Sequence, residues 1–190
     1  MPNIWLDQEW DSEEYRLDKK KSFECLESFI TTAPKKILDI GCGLAFESEL
    51  FQKKYGCELY LLDGNSNSNN NSQVREIGFD QSGTFKFYSD SRELTESFIK
   101  RNLKYTFVDV SNINISDNVI FDLIYSNLSC GFHYPINTYY TLLKKHSDKN
   151  TVMIFDIKGK TLTDQLNDQF EVVREVSVSN KISKYQLKIK

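Results

Sequence analysis

The sequence predicts an α/β fold: a doubly wound, mostly parallel seven-stranded sheet that closes with a C-terminal antiparallel hairpin. Three observations predict it. Short apolar runs alternate with stretches of helical spacing between Lys36 and Ile157. A glycine turn, Gly41-Cys42-Gly43, stands directly after the first run. The last two runs are separated by hardly any chain, which permits only an antiparallel return.

The first strand is read from Lys36-Ile37-Leu38-Asp39-Ile40-Gly41, whose length and β-branched content suit a buried parallel strand. Further strands are read at Leu59 to Leu62, Tyr105 to Val110, Phe121 to Tyr125 and Val152 to Ile157. The helices between them come from Phe46/Leu50/Phe51 ending at Gly56, from Leu94/Phe98/Ile99, and from Ile136/Tyr139/Tyr140/Leu143 after Pro135. Parallel neighbours need right-handed crossovers, so the helices fall on both faces of the sheet. After a helical stretch marked by Leu162, Leu166 and Phe170, Glu171 to Ser179 and Lys181 to Lys190 form the hairpin across Asn180. Ahead of the first strand, Trp5 to Ile30 reads as one or two amphipathic helices capped at Asp11 or Ser12, so residues 1–34 form a helical cover. Residues 65–91 break the rhythm with a run of Asn and Ser, then Gly78 and Gly83; this insertion is either a ligand lid, mobile when empty, or an inert linker.

At 190 residues, with 39% hydrophobic and 13% aromatic content, the chain has the size and apolar surface of one globular domain spanning residues 1–190. No apolar run approaches the roughly 20 residues that cross a bilayer, and Met1 to Trp10 lacks the pattern of a signal peptide. The expected compartment is the cytoplasm, with no membrane partner. A balance of 24 basic and 27 acidic side chains gives no general attraction for nucleic acid. Cys25, Cys42, Cys57 and Cys130 never fall at zinc-ligand spacing, so reduced thiols and no metal are expected.

In an open parallel sheet, ligands bind beyond the carboxyl ends of the strands. The turn Asp39-Ile40-Gly41-Cys42-Gly43-Leu44-Ala45-Phe46 leads into a helix, turning backbone N–H groups and the positive helix end toward a ligand. A dinucleotide fingerprint would need a small residue where Phe46 stands. Gly159-Lys160-Thr161 imitates a phosphate loop but has Ile154 where the leading glycine belongs.

Ile37-Leu38-Asp39-Ile40-Gly41-Cys42-Gly43 resembles the first motif of class I S-adenosylmethionine-dependent methyltransferases. Leu59-Tyr60-Leu61-Leu62-Asp63-Gly64 is similar to the second motif of that family, and Phe107-Val108-Asp109-Val110 stands where its third strand ends. The resemblance runs from about Lys35 to Ile157 and implies a Rossmann-like methyltransferase fold with S-adenosyl-L-methionine as cofactor. It also implies that Asp39, Gly41, Cys42 and Gly43 line the cofactor, that Asp63 accepts both ribose hydroxyls beside Gly64 and Asn65, and that Asp109 and Val110 meet the adenine. Ser126, at the end of the fourth strand, completes the expected cofactor site. A carboxylate suits a vicinal diol, because it accepts two charge-assisted hydrogen bonds; taken singly, each of the three acids is equally an ordinary strand terminator.

The segment Tyr125-Ser126-Asn127-Leu128-Ser129-Cys130-Gly131-Phe132-His133-Tyr134-Pro135 corresponds to the family's fourth-motif region beside the transferred methyl. His133 has a side chain able to take a hydroxyl proton, and Tyr134 to orient the acceptor, so these are the catalytic candidates; the alternative is that His133 packs against the helix that starts near Pro135. His146 closes a helix where positive charge suits the dipole and receives no chemistry. Asn127-Leu128-Ser129-Cys130 departs from the signature of enzymes that methylate base amines. The expectation is a methyltransferase acting on a small polar acceptor, a hydroxyl of a sugar or metabolite, as a monomer or homodimer. A macromolecular acceptor (protein or RNA) and a non-catalytic cofactor-binding module are the alternatives.

Overall fold

Strands buried on both faces need apolar residues on both, and β1 (Lys36–Ile40) and β6 (Leu123–Ser126) are accordingly buried almost throughout. In the computed structural model, which describes residues 13–64, 77–79, 83–85, 91–132, 135–158, 166–179 and 182–190, they lie side by side at the centre of a seven-stranded sheet. Helix α1 (Glu13–Glu27) precedes β1, and between β1 and β6 in sequence come α2 (Phe46–Tyr55), β2 (Glu58–Asp63), β3 (Ile77–Phe79), β4 (Gly83–Phe85), α3 (Ser91–Lys100) and β5 (Tyr105–Asp109). After β6 a 3₁₀ turn (Ile136–Tyr139) runs into α4 (Tyr140–Lys145), followed by β7 (Val152–Lys158), a short 3₁₀ turn (Asn167–Gln169), β8 (Phe170–Ser179) and β9 (Ile182–Ile189).

The sheet order is β5-β2-β1-β6-β7-β9-β8. The pairs from β5 through β7 are parallel, whereas β9 runs antiparallel to both β7 and β8. The strand order reverses between β1 and β6, and their carboxyl ends open the crevice where such sheets hold ligands.

Alternation along the strands sorts side chains into two cores. Leu38, Ile40, Ile124, Met153 and Phe155 face one core with Leu143 of α4. Ile37, Leu59, Leu61, Leu123, Tyr125 and Ile154 face the other, packed by Phe23 and Leu26 of α1, Phe51 of α2 and Phe98 of α3. Asp39 is the buried exception on β1. At the opposite end of the strands, the Asp122 carboxylate accepts the N–H groups of Lys35 and Lys36, both at 2.8 Å, and so fixes the entry into β1.

Several boundaries differ from the sequence reading, each for a local reason. The fourth parallel strand starts at Leu123, because the Phe121 N–H bonds the His146 carbonyl and leaves the ladder. Val110 stands outside β5. Phe170 opens β8, paired with Ile189, instead of closing a helix. The helix after Pro135 begins as a 3₁₀ turn and has only six α-helical residues. Inside the insertion, β3 and β4 pair antiparallel, Ile77 with Phe85 and Phe79 with Gly83, in a stretch where the sequence reading placed a lid or linker and no strand. Trp5, the caps Asp11 and Ser12, the Asn-rich run from Asn65, Gly159-Lys160-Thr161, Leu162, Asn180 and Lys181 lie outside the described residues.

Candidate functional site

The end of β1 turns sharply because Gly41 (φ 72°) and Gly43 (φ 47°) both take left-handed backbone, which a side chain would resist. The Gly41 and Cys42 N–H groups bond the Leu62 carbonyl at 2.7 and 3.2 Å, binding the turn to the end of β2. Ala45, also left-handed at φ 52°, caps α2 at its start. From outside, Arg101 donates to the Leu44 carbonyl and to Glu49 Oε2 at 2.5 Å, with its guanidinium 4.3 Å from the centre of the Phe46 ring.

The three strand-terminal acids expected at the site all stand at the carboxyl ends, and Asp63 and Asp109 are register partners. Asp63 is half-buried and reaches back to the glycine turn: Oδ2 accepts the Gly43 N–H and Oδ1 the Gly64 N–H, both at 2.7 Å. Burial raises its pKa above the ordinary carboxylate value, against the opposing pull of those two N–H donors. The Cys42 thiol lies 3.9 Å from Asp63 Oδ2, and burial holds it well above a free thiol.

Asp109 Oδ1 accepts the N–H and hydroxyl of Ser111, at 2.8 and 2.7 Å, in an Asx turn. The Val110 N–H donates to the Asp63 carbonyl at 3.0 Å, so what Val110 offers outward is its side chain, 40% exposed. A Cβ on Gly64 would lie 3.9 Å from Val110 Cγ1, which places the ends of β2 and β5 against one space. Asn65 lies outside the described residues.

Asp39 is 3% exposed, and its Oδ2 accepts the hydroxyls of Ser48 on α2 and Tyr125 on β6, each at 2.8 Å. Those two hydroxyls are themselves 2.7 Å apart. Burial pushes the Asp39 pKa up to about 7 despite both hydrogen bonds, and the charges of Glu47 and Asp63 push the same way.

Asp39 also lines a pocket of about 130 Å³ formed by the glycine turn, by Glu47 and Asn127, and by Tyr15 and Lys19 of α1. Lys19 Nζ bonds Glu47 Oε1 at 3.1 Å across this pocket. Burial works against the Lys19 charge, but Glu47 and Tyr15 outweigh it and hold Lys19 above its ordinary pKa. Helix α1 thus supplies part of the wall.

Ser126 is fully buried; its hydroxyl donates to the Ile40 carbonyl and accepts the Cys130 N–H, both at 2.7 Å. It positions the loop after β6. That loop carries Leu128 at φ 55° and Gly131 at φ 90°, where an added Cβ would come within 2.6 Å of the Asp156 carbonyl oxygen. Asp156 Oδ2 accepts the Leu128 N–H at 2.9 Å, while Lys184 Nζ bridges Asp156 Oδ1 at 2.7 Å and Asn127 Oδ1 at 2.6 Å. Asn127 Nδ2 donates to Glu47 Oε1 at 2.6 Å, so a continuous polar chain joins pocket and loop. His133 and Tyr134 lie outside the described residues. His146 is buried with Nδ1 2.8 Å from the Val119 carbonyl, a packing role.

The structure therefore groups Asp39, Gly41, Cys42, Gly43, Asp63, Gly64, Asp109 and Val110 at one end of the sheet, with Ser126 beneath them. Sequence reasoning missed Tyr15, Lys19, Glu47, Ser48, Tyr125, Asn127 and Lys184. Glu47 carried a faint signal, an acid in the first turn after the glycines; Lys184 carried none. Among the described residues no group of three or more His, Cys, Asp or Glu is arranged to hold a metal, and no helix is long and apolar enough to cross a membrane.

No protein-family model matches the sequence, and no curated protein matches it. Solved structures do. The chain is similar to the PH0226 protein from Pyrococcus horikoshii OT3, with 17% identity and a TM-score of 0.65 over 96% of this chain and 94% of that one. It is similar to a ribosomal protein L11 methylase from Lactobacillus delbrueckii subsp. bulgaricus at 14% identity and TM-score 0.58, covering 91% and 79%. It is also similar to the plantazolicin methyltransferase BpumL, solved in complex with SAH and a monoazolic desmethylPZN analog, at 21% identity and TM-score 0.53; 82% of this chain matches about half, 52%, of that one.

Proposed function

From the class I S-adenosylmethionine-dependent methyltransferase fold of this chain, we propose that it binds S-adenosyl-L-methionine and transfers the methyl group to a small polar acceptor, a hydroxyl of a sugar or metabolite. The observation that carries the reading is the contact between two motifs: the Asp63 carboxylate, ending β2, lies against the glycine turn that ends β1. Each carboxylate oxygen accepts one backbone N–H; Oδ1 keeps room for a second donor, and Oδ2 can exchange the weak Cys42 thiol donor for a hydroxyl, which meets the requirement for holding a vicinal diol. The described residues fit the cofactor in other respects. Val110 offers an apolar side chain beside Gly64 for a flat base, with Asp109 next to it for an amino group. The pocket at the glycine turn pairs acids with Lys19, which suits a zwitterionic amino-acid end.

The cofactor supplies an activated methyl on a sulfonium. The chain's part is to hold, orient and exclude water, which sets the acceptor atom in line at near-attack distance. Ser126 and Asp156 fix the loop that leads to His133 and Tyr134. In this reading His133 takes the hydroxyl proton, a contribution of about 10² to 10⁴ in rate, and Tyr134 orients the acceptor. A protein acceptor is the second reading, favoured by the likeness to the ribosomal protein L11 methylase.

Calorimetric titration with S-adenosylhomocysteine tests the cofactor assignment. Asp63→Asn is expected to weaken binding about 10- to 100-fold, the worth of a charge-assisted pair, with the folding transition still cooperative. Unchanged affinity would remove Asp63 from the ribose. Methyl transfer to a panel of hydroxyl, amine and carboxyl acceptors, with His133→Ala as control, identifies the acceptor class.

A further inference from the structure

Three oxygens meet beneath the pocket: Asp39 Oδ2, Ser48 Oγ and Tyr125 Oη, with separations of 2.8, 2.8 and 2.7 Å. Two hydroxyls bring two protons to three contacts, so an ionised Asp39 leaves one contact without a proton. A third proton, on the carboxyl, completes the ring. Both hydroxyls fall on Oδ2, leaving Oδ1 with no partner among the described residues, on a side chain that is 3% exposed and lines the pocket.

We propose that Ser48 and Tyr125 are positioning residues that hold Asp39 with Oδ1 presented to the pocket, so that entry of a ligand's ammonium group is linked to release of the proton held by this triad. The inference rests on the cofactor reading above and adds to it an electrostatic account of binding. The surroundings favour a proton on the empty site. Glu47 faces Asp39 from α2, Asp63 from β2, the Tyr125 phenol from β6 and the Cys42 thiol from the turn. Lys19 and Tyr15 face the pocket from α1, but the Lys19 charge is matched by Glu47. Burial is the main cause that lifts the Asp39 pKa to about 7, and the charges of Glu47 and Asp63 add to it; Arg101, which reaches the pocket wall at the Leu44 carbonyl and the Phe46 ring, has its charge paired with Glu49. An arriving ammonium takes over the balancing role, and the proton passes to solvent.

The test is calorimetry with S-adenosylhomocysteine in buffers of different ionisation enthalpy between pH 6 and 8, beside 5′-methylthioadenosine, which has the nucleoside but no amino-acid group. S-adenosylhomocysteine should release about half a proton per site near pH 7 and bind more weakly as pH falls, approaching tenfold per unit below the midpoint. Methylthioadenosine should bind without that release. Asp39→Asn, which keeps an oxygen for both hydroxyls, should abolish the linkage, while Tyr125→Phe removes a donor to the carboxylate and should move the midpoint to higher pH. Ser48→Ala should move it the same way, and serves if Tyr125→Phe does not fold. Equal proton release with both nucleosides would assign the linkage elsewhere and overturn the proposal, as would release that survives in Asp39→Asn or midpoints unmoved in both hydroxyl variants. Absence of binding by either compound at millimolar concentration would instead overturn the cofactor reading.

Discussion

Asp39 inverts the usual relation between a carboxylate and stability. Most acids that gain partners on folding lose stability as pH falls; a group whose pKa rises on folding, here from 3.8 to about 7, does the reverse. Its contribution is complete below about pH 4 and is lost as pH rises through about 7. Asp39→Asn should therefore leave stability near pH 4 unchanged but raise it at pH 8 by roughly 2–4 kcal/mol, measured by urea unfolding at both pH values. Stability at pH 8 equal to that of the unaltered protein would show that the ionised carboxylate is not penalised. At this scale the sequence exposed the acids and glycines that follow strands, because position after a strand is written in the chain. Tyr125 looked like one more core aromatic; it reaches Asp39 because register makes them cross-strand partners, a relation of β1 to β6 that no local pattern encodes.

Helix α2 is bounded at both ends by left-handed residues, Ala45 at φ 52° and Gly56 at φ 67°. Gly56 N–H donates to the Gln52 carbonyl at 2.8 Å, and a Cβ added there meets nothing within 4 Å. The cost of Gly56→Ala is thus conformational alone, about 1 kcal/mol, with ligand affinity unchanged; a denaturation curve and a titration check the two halves. Gly56 was legible as a helix stop, and β1, β2 and β7 were legible to within a residue or so, since apolar runs closed by polar residues mark a buried strand. Phe170 was not, because the spacing of Leu162, Leu166 and Phe170 fits a helix face, whereas pairing with Ile189 draws Phe170 into β8. The β3–β4 pairing was also hidden: Gly and polar residues weaken strand propensity, and only three residues pair on each side.

Across the whole molecule, the sheet order inserts β9 between β7 and β8, and this brings Lys184 to the loop after β6. The hairpin was evident from its short connection, but the burial of Lys184 was not, since lysine on a strand normally reads as a solvated position. Lys184 is 2% exposed and Asp156 1% exposed, so Lys184→Ala strands a buried carboxylate and should cost about 3–5 kcal/mol. Lys184→Met with Asp156→Asn should recover part of this, the remainder reflecting the weakened hold on the Leu128 N–H. Equilibrium unfolding of both variants provides the check, and a double variant no better than the single would mean that the pair's charges are not the source.

The register of β8 against β9 slips twice, between Val172 and Arg174 and between Ser177 and Ser179. A ten-residue outer strand with exposed Val172, Val173 and Val178 would otherwise be a template for another polypeptide to add to. The slips bend that margin, and the charges of Glu171, Arg174 and Glu175 interrupt its apolar stripe, so a device that looks like a flaw in the ladder guards the protein against aggregation at its own rim.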